Sequence, residues 1–315
     1  MLKANISRRD ALLAFGASIG TSMLIKPVSA VDRPAQSALR VVHLTDMHVK
    51  PEKRAAEGFA AALESLKLLN PQPDFLVTGG DHVMDVLNCT PERANEQWSL
   101  YHKTLEQGTR LRVYPVVGNH DVYGWSTKPA LPESDAQYGK AMSRDMLRVE
   151  RTYYSFEHGA WHFIVLDNIQ KRGGGHYGDL EPAQLEWLKA DLQTNASRKP
   201  IMLFSHIPLA SIVPLFFHRE PKEFWRTSDG LLHRNSRPLI ELLAQYNTRL
   251  CVSGHIHLLD ELRMMNVNFV CNGAVSGSWW GGPHQWVPEG YGVFDLYDDG
   301  THQFQYVTYD WQAAT

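Results

Sequence analysis

Five short segments constrain the fold of this chain more than anything else in it: Asp46-Met47-His48, Gly80-Asp81, Gly118-Asn119-His120-Asp121, Ser205-His206 and Gly254-His255-Ile256-His257. Each carries residues able to ligate a cation, and each follows directly on an apolar, strand-like run. Singly they are weak, because a lone D-x-H pair is usually surface chemistry and a lone histidine after a strand is usually a hydrogen-bonded core residue. In order, and each at the end of a strand, they require a framework that brings five loop tips together. An open α/β sheet is such a framework, since its parallel strands present ligands at their carboxyl ends.

The intervening sequence supplies that framework. Leu39 to Thr45 reads as a buried strand, and Ala55 to Leu69 as a helix stopped by Pro71 and Pro73. Phe75 to Thr78 is the next strand, Arg93 to Gln107 a helix and Arg112 to Val117 a third strand. Strand, helix, strand, helix, strand is the sign of parallel strands with helices packed on the sheet. Val122 to Glu150 is long, polar and irregular; strands follow near Tyr153 to Phe156 and Trp161 to Leu166, then a flexible Gly173-Gly174-Gly175 loop. Pro182 to Leu192 is an amphipathic helix and Ile201 to Ser205 a strand, while Pro208 to Arg237, with His218, reads as a lid or insertion. Strands close the chain at Leu250 to Ser253, Val267 to Cys271, Tyr291 to Tyr297 and Gln303 to Tyr309, with a hairpin turn at Asp298-Asp299-Gly300. In Gly254-His255-Ile256-His257, strand alternation places both imidazoles on one face, and the glycine permits a sharp turn.

The amino terminus is different in kind. Ser7-Arg8-Arg9-Asp10, an apolar stretch from Ala11 to Ile25 and Val28-Ser29-Ala30 make the three-part pattern of an export signal, and the paired arginines resemble a twin-arginine address, which implies the twin-arginine export machinery as a partner. The stretch is shorter than the roughly twenty residues that span a bilayer, so residues 1–30 are expected to be cleaved, residues 31–38 to be a linker and residues 39–315 one catalytic domain, periplasmic or otherwise exported. No permanent membrane span is expected. Loss of residues 1–30 lowers the net charge from −3 to −6, a balance with no footprint for polymeric nucleic acid. Cys89, Cys251 and Cys271 are an odd number for an oxidising compartment; Cys251 and Cys271 either face each other across neighbouring strands or stay as buried thiols.

A pair of divalent ions wants carboxylate and amide oxygens with imidazole nitrogens, and one carboxylate to bridge them. Two Asp, one Asn and four His of the five segments fit that need, and the lack of thiolate argues against a structural zinc site. The ordered series D-x-H, G-D, G-N-H-D, H and G-H-x-H resembles the calcineurin-like metallophosphoesterase family over most of the mature chain. The resemblance implies a four-layer αββα sandwich with two mixed β-sheets flanked by helices. It also implies two divalent or mixed-valence ions (Fe, Mn or Zn), one held by Asp46, His48, Asp81 and His257 and the other by Asp81, Asn119, His206 and His255. Asp81 is then the bridge. His120 is implied to protonate the leaving oxygen, with Asp121 orienting its ring. Met84 stands where some relatives carry a ligand, so that position contributes none, and Asp85 lies behind the ligands or at the surface. His48 sets the chain apart from the purple acid phosphatases and nearer the cyclic-nucleotide phosphodiesterase-like branch.

The expected reaction is hydrolysis of a small phosphorylated, nucleotide-like diester through a metal-bridging hydroxide, with a phosphomonoester or pyrophosphate substrate as the alternative. A protein that holds metal and a phosphorylated ligand without turnover is the reading from another class. His43 is expected in the core, and His102, His158, His162, His176, His233 and His302 show no ligand context. His82 and His218 are expected to face solvent in loops. The Gly-rich aromatic stretch Trp279-Trp280-Gly281-Gly282 either covers loops as a small core or stacks a nucleobase.

Overall fold

Alternating apolar side chains give the strands two buried faces. In β1 (Leu39–Leu44), Val41 enters one core while Val42 and Leu44 enter another, and in β2 (Phe75–Thr78), Phe75 and Val77 oppose Leu76 in the same way. A computed structural model describes residues 39–126, 132–194, 198–217, 227–228 and 230–313. The expected signal and linker, and His218, lie outside the described residues. Among the described residues no helix is long and apolar enough to cross a membrane.

The first sheet pairs β1 with β2 and β2 with β3 (Arg112–Pro115), all parallel, and adds β12 (Gly290–Leu296) and β13 (His302–Thr308) antiparallel on the far side of β1. In the second, β5 (Trp161–Val165), β8 (Ile201–Phe204), β9 (Thr248–Ser253) and β11 (Val267–Cys271) run parallel. Its edges are antiparallel, β4 (Tyr154–His158) beside β5 and β10 (Asp260–Met264) beside β11. Val41, Val77, Tyr114 and Phe294 of the first sheet meet Phe163, Met202, Phe204 and Val252 of the second in the central core. Helices α1 (Ala55–Ser65) and α2 (Pro91–Gly108) cover the outer face of the first sheet through Phe59, Leu63, Trp98 and Tyr101. The outer face of the second is covered by α4 (Pro182–Thr194) and α5 (Ser236–Leu243) through Leu188, Leu192, Leu239 and Leu243. The layers are therefore the αββα sandwich that the resemblance implies.

Local chemistry sets several boundaries. Thr90 caps α2, its hydroxyl accepting from the Arg93 amide at 3.3 Å with Pro91 in the first turn, so the helix starts two residues before its apolar periodicity shows. The first helix stops at Ser65 rather than Leu69 and tightens into a 3-10 turn over Leu66–Leu68. Helix α3 (Lys140–Leu147) lies inside the stretch read as irregular, and α5 begins within the expected insertion; each has only eight residues, too few for periodicity to mark. Strand β10 has too little apolar alternation to mark it in sequence, because it is a polar edge exposed on most of its length. Gly173 to Gly175 turns a hairpin, β6 (Ile169–Arg172) with β7 (Gly175–Gly178). All three cysteines are free thiols: Cys251 pairs in register with Phe269 rather than Cys271, and the two sulfurs belong to different apolar clusters.

Candidate metal centre

The five segments follow the carboxyl ends of β1, β2, β3, β8 and β9, all of them parallel strands. At these ends the backbone leaves ordinary strand geometry. Asp46, His48, Asp81, His255 and His257 all take positive φ, between 43° and 71°. For an L-residue that conformation costs roughly 1–2 kcal/mol and persists only where the surroundings impose it. Here they do: the Asp46 amide donates to the Gly80 carbonyl at 3.0 Å, the His48 amide to Asp81 at 2.9 Å and the Ser276 amide to Asp46 at 3.2 Å. The pairing of β1 with β2 thus continues into the loops, which turn their side chains toward one another.

Strand alternation does not place the two histidines of Gly254-His255-Ile256-His257. Both sit in the left-handed region, and their imidazoles diverge: His255 joins Asp81 and His206, whereas His257 joins Asp46 and His48. Gly254 is not in a left-handed turn. A Cβ there would lie 2.0 Å from Thr45 Oγ1 and 2.3 Å from Asp46 Oδ2, so close approach of two loops, not a turn, demands the glycine.

Asp81 is at the centre. Its Oδ1 accepts from the His120 amide at 2.8 Å, which aims Oδ2 at three imidazoles: His206 Nε2 at 3.2 Å, His48 Nε2 at 3.6 Å and His120 Nε2 at 4.0 Å. Asn119 Oδ1 is 3.1 Å from the same His206 nitrogen. On the other side, Asp46 Oδ2 accepts from the Thr45 hydroxyl at 2.7 Å and the His255 amide at 2.9 Å, leaving Oδ1 buried without a hydrogen-bond partner and 3.3 Å from His257 Nε2. His48 and His257 bring their Nε2 atoms to 3.0 Å. The far ring nitrogens of two histidines are held by carbonyls, His206 Nδ1 by Gly79 at 2.8 Å and His257 Nδ1 by Gly277 at 2.6 Å, which fixes the tautomer that leaves Nε2 free to ligate.

Burial pushes the Asp46 and Asp81 carboxyls up, but the adjacent imidazoles, His257 and His206 foremost, hold both below the usual carboxylate range. Burial lowers His48 well below its ordinary value and His255 to about 3. It would lower His206 too, but the Asp81 carboxylate raises that ring to about 9. Carboxylates held ionised, the imidazoles of His48 and His255 kept neutral by burial and an orphaned buried oxygen are donors of the kind that divalent cations require.

Several placements differ from expectation. Asp121 does not orient His120: its carboxylate accepts from the amides of Gly118, Asp81 and His82 and from His82 Nδ1, all within 3.0 Å. Asp85 is the carboxylate beside the His120 ring, 3.9 Å from Nδ1. His82 faces no solvent; it is fully buried, its Nε2 2.9 Å from the Thr78 hydroxyl. Met84 points at the Lys50 ammonium, 3.5 Å away. Of the two tryptophans, Trp280 is core, as the first alternative has it, and Trp279 is partly exposed beside the His257 and His48 rings. His176 and His284, which carried no signal in sequence, approach His255 and His257 edge-on at 5.5 and 5.7 Å between ring centroids. A cleft of about 800 Å³ lined by Tyr101, Arg112, Tyr114, Arg148 and Trp187 shares no residue with this cluster.

Comparison with known proteins places the chain in a family. The calcineurin-like phosphoesterase family model matches residues 39–259. A 3′,5′-cyclic-nucleotide phosphodiesterase of Nostoc sp. is 25% identical over 276 residues, covering 84% of this chain and 90% of that protein. The serine/threonine-protein phosphatase CPPED1 of Mus musculus is 25% identical over 218 residues, 68% of this chain and 63% of its own length. A dimetal phosphatase of Danio rerio shares the fold, with a TM-score of 0.57 at 15% identity, over 82% of this chain and 93% of the other. The chain belongs to the calcineurin-like phosphoesterase family. It is a hydrolase of phosphoric esters, and the family implies divalent metal ions at the cluster described above.

Proposed function

We propose that the protein is a dinuclear phosphodiesterase acting on a small, nucleotide-like diester. The observation that carries the proposal is Asp81 Oδ2, shared among His206, His48 and His120 between two groups of ligands. Asp46, His48, Asp81 and His257 would hold one ion, and Asp81, Asn119, His206 and His255 the other. Bound there, two divalent cations supply a hydroxide nucleophile at neutral pH and neutralise phosphate oxygens. The diester preference draws support from the cyclic-nucleotide phosphodiesterase, which aligns with more of the chain than the phosphatase does.

The remaining chemistry belongs to side chains. As phosphorus is attacked in line, the bond to the leaving oxygen breaks and that oxygen needs a proton. His120 is placed to give it: its side chain is about a quarter exposed, Nε2 faces the cluster, and its amide is tied to Asp81. The Asp85 carboxylate lies beside Nδ1. His120→Ala should lower kcat by roughly 10²–10⁴ with both metals retained by elemental analysis. Full activity in that variant removes His120 from the chemistry. The protein should hydrolyse bis(p-nitrophenyl) phosphate faster than p-nitrophenyl phosphate; turnover of the monoester alone overturns the diester preference, and turnover of neither favours a non-catalytic binder. The proposal extends to the compartment: Arg8-Arg9 would direct export of the folded, metal-loaded protein, and substituting both by Lys should leave it in the cytoplasm on fractionation.

A further inference from the structure

We propose that Trp279 is a specificity-determining residue, a platform on which an aromatic ring of the substrate's alcohol stacks; this rests on the diesterase reading. Three observations meet here. The indole lies 4.6 Å from the His257 ring and 6.0 Å from His48, between ring centroids, at the end of the cluster that holds Asp46. His284 meets it edge-on at 5.6 Å, so the two rings make one aromatic wall. Trp279 is partly exposed, unlike the tryptophan next to it.

The wall is built rigidly. Trp280 is fully buried, its indole nitrogen donating to the carbonyls of Met47 at 2.9 Å and His48 at 3.1 Å. Its ring rests on α1 where Gly58 leaves room: a Cβ there would come within 2.1 Å of the indole. Trp279 and Trp280 both take positive φ, 52° and 69°. A loop that turns two successive tryptophans left-handed, one into the core and one over the ligand histidines, holds the second at a set height above the site. A phosphate held at the Asp46 end of the cluster would lie near that indole, with its ester group toward the ring. Stacking tolerates any flat ring, so a nucleobase or an aryl group is favoured and a small alkyl alcohol is not.

Calorimetry on the metal-loaded protein, with adenosine monophosphate and inorganic phosphate as probes, tests this without turnover. The wild type should bind the nucleotide at least about fivefold more tightly than phosphate, the lower end of what one stacked base contributes. Trp279→Ala should erase that ratio while phosphate affinity and metal content stay as they were, and Trp279→Phe should keep most of it. The proposal is overturned if the wild type shows no preference, if Trp279→Ala retains it, or if Trp279→Ala loses phosphate binding as well. Should the alanine variant fail to fold, Trp279→Leu serves for the same comparison. A missing diesterase activity with an intact nucleotide preference would sink the diesterase reading alone, so the two failures are distinguishable.

Discussion

Two buried carboxylates, Asp81 and Asp121, follow neighbouring parallel strands and touch each other's loops, yet they do different work. Asp121 accepts from three amides and an imidazole, and its oxygens are consumed in tying the β2 loop to the β3 loop. Asp81 accepts a single amide on Oδ1, and only imidazoles face Oδ2. Both are inaccessible to solvent, so exposure does not separate them. Hydrogen-bond accounting does: a satisfied buried carboxylate is scaffold, and one with an oxygen aimed at ligand-type nitrogens waits for a cation.

The sharpest way to break this contrast is Asp81→Asn. It should cost at least about a hundredfold in kcat/KM and in metal affinity, more than losing a residue behind the ligands does. The hydrogen bond from the His120 amide to Oδ1 can survive in the asparagine, so the connection between the two loops is kept. Retention of both metals would remove Asp81 from the bridge. Asp121→Asn should behave the other way: an amide turned toward a ring of donors costs about 3–5 kcal/mol and lowers the melting temperature of the chelated protein by on the order of ten degrees. Melting at the wild-type temperature would deny Asp121 its scaffold role.

Histidines extend the contrast with a smaller effect. Asp81 lifts His206 to about 9, whereas burial against the amide of Asn272 holds His43 at about 3, below its ordinary 6.5. Below 6.5 the unfolded chain binds a proton at His43 that the folded chain refuses. The contribution of His43 to the stability of the chelated protein is therefore complete above 6.5 and declines as pH falls from there toward 3. Denaturant melts of His43→Gln should show a slope shallower by up to about 1.4 kcal/mol per pH unit in that window. Identical slopes would place the proton elsewhere.

Much of this site is legible in sequence because strand, turn and ligand are consecutive: Thr45-Asp46, Gly80-Asp81 and Ser205-His206 each write the end of a strand and its cargo side by side. What stays illegible depends on partners far along the chain. Asp121 and His120 are adjacent, which suggests pairing them, but three of the four donors to Asp121 come from residues 81 and 82. The same holds for Trp279 and Trp280, identical neighbours that left-handed backbone sends to opposite fates.

The sequence alone determined the layered α/β class, the order of the ligand-bearing loops and the residue types they bring, since apolar period and turn chemistry are local properties. Tertiary structure decided which oxygen of Asp46 and Asp81 stays open, which histidine of Gly254-His255-Ile256-His257 goes to which carboxylate, and which ring walls the site. Those choices are competitions for hydrogen bonds and space between segments as many as 209 residues apart, and they have no outcome until the sheets bring the loops together.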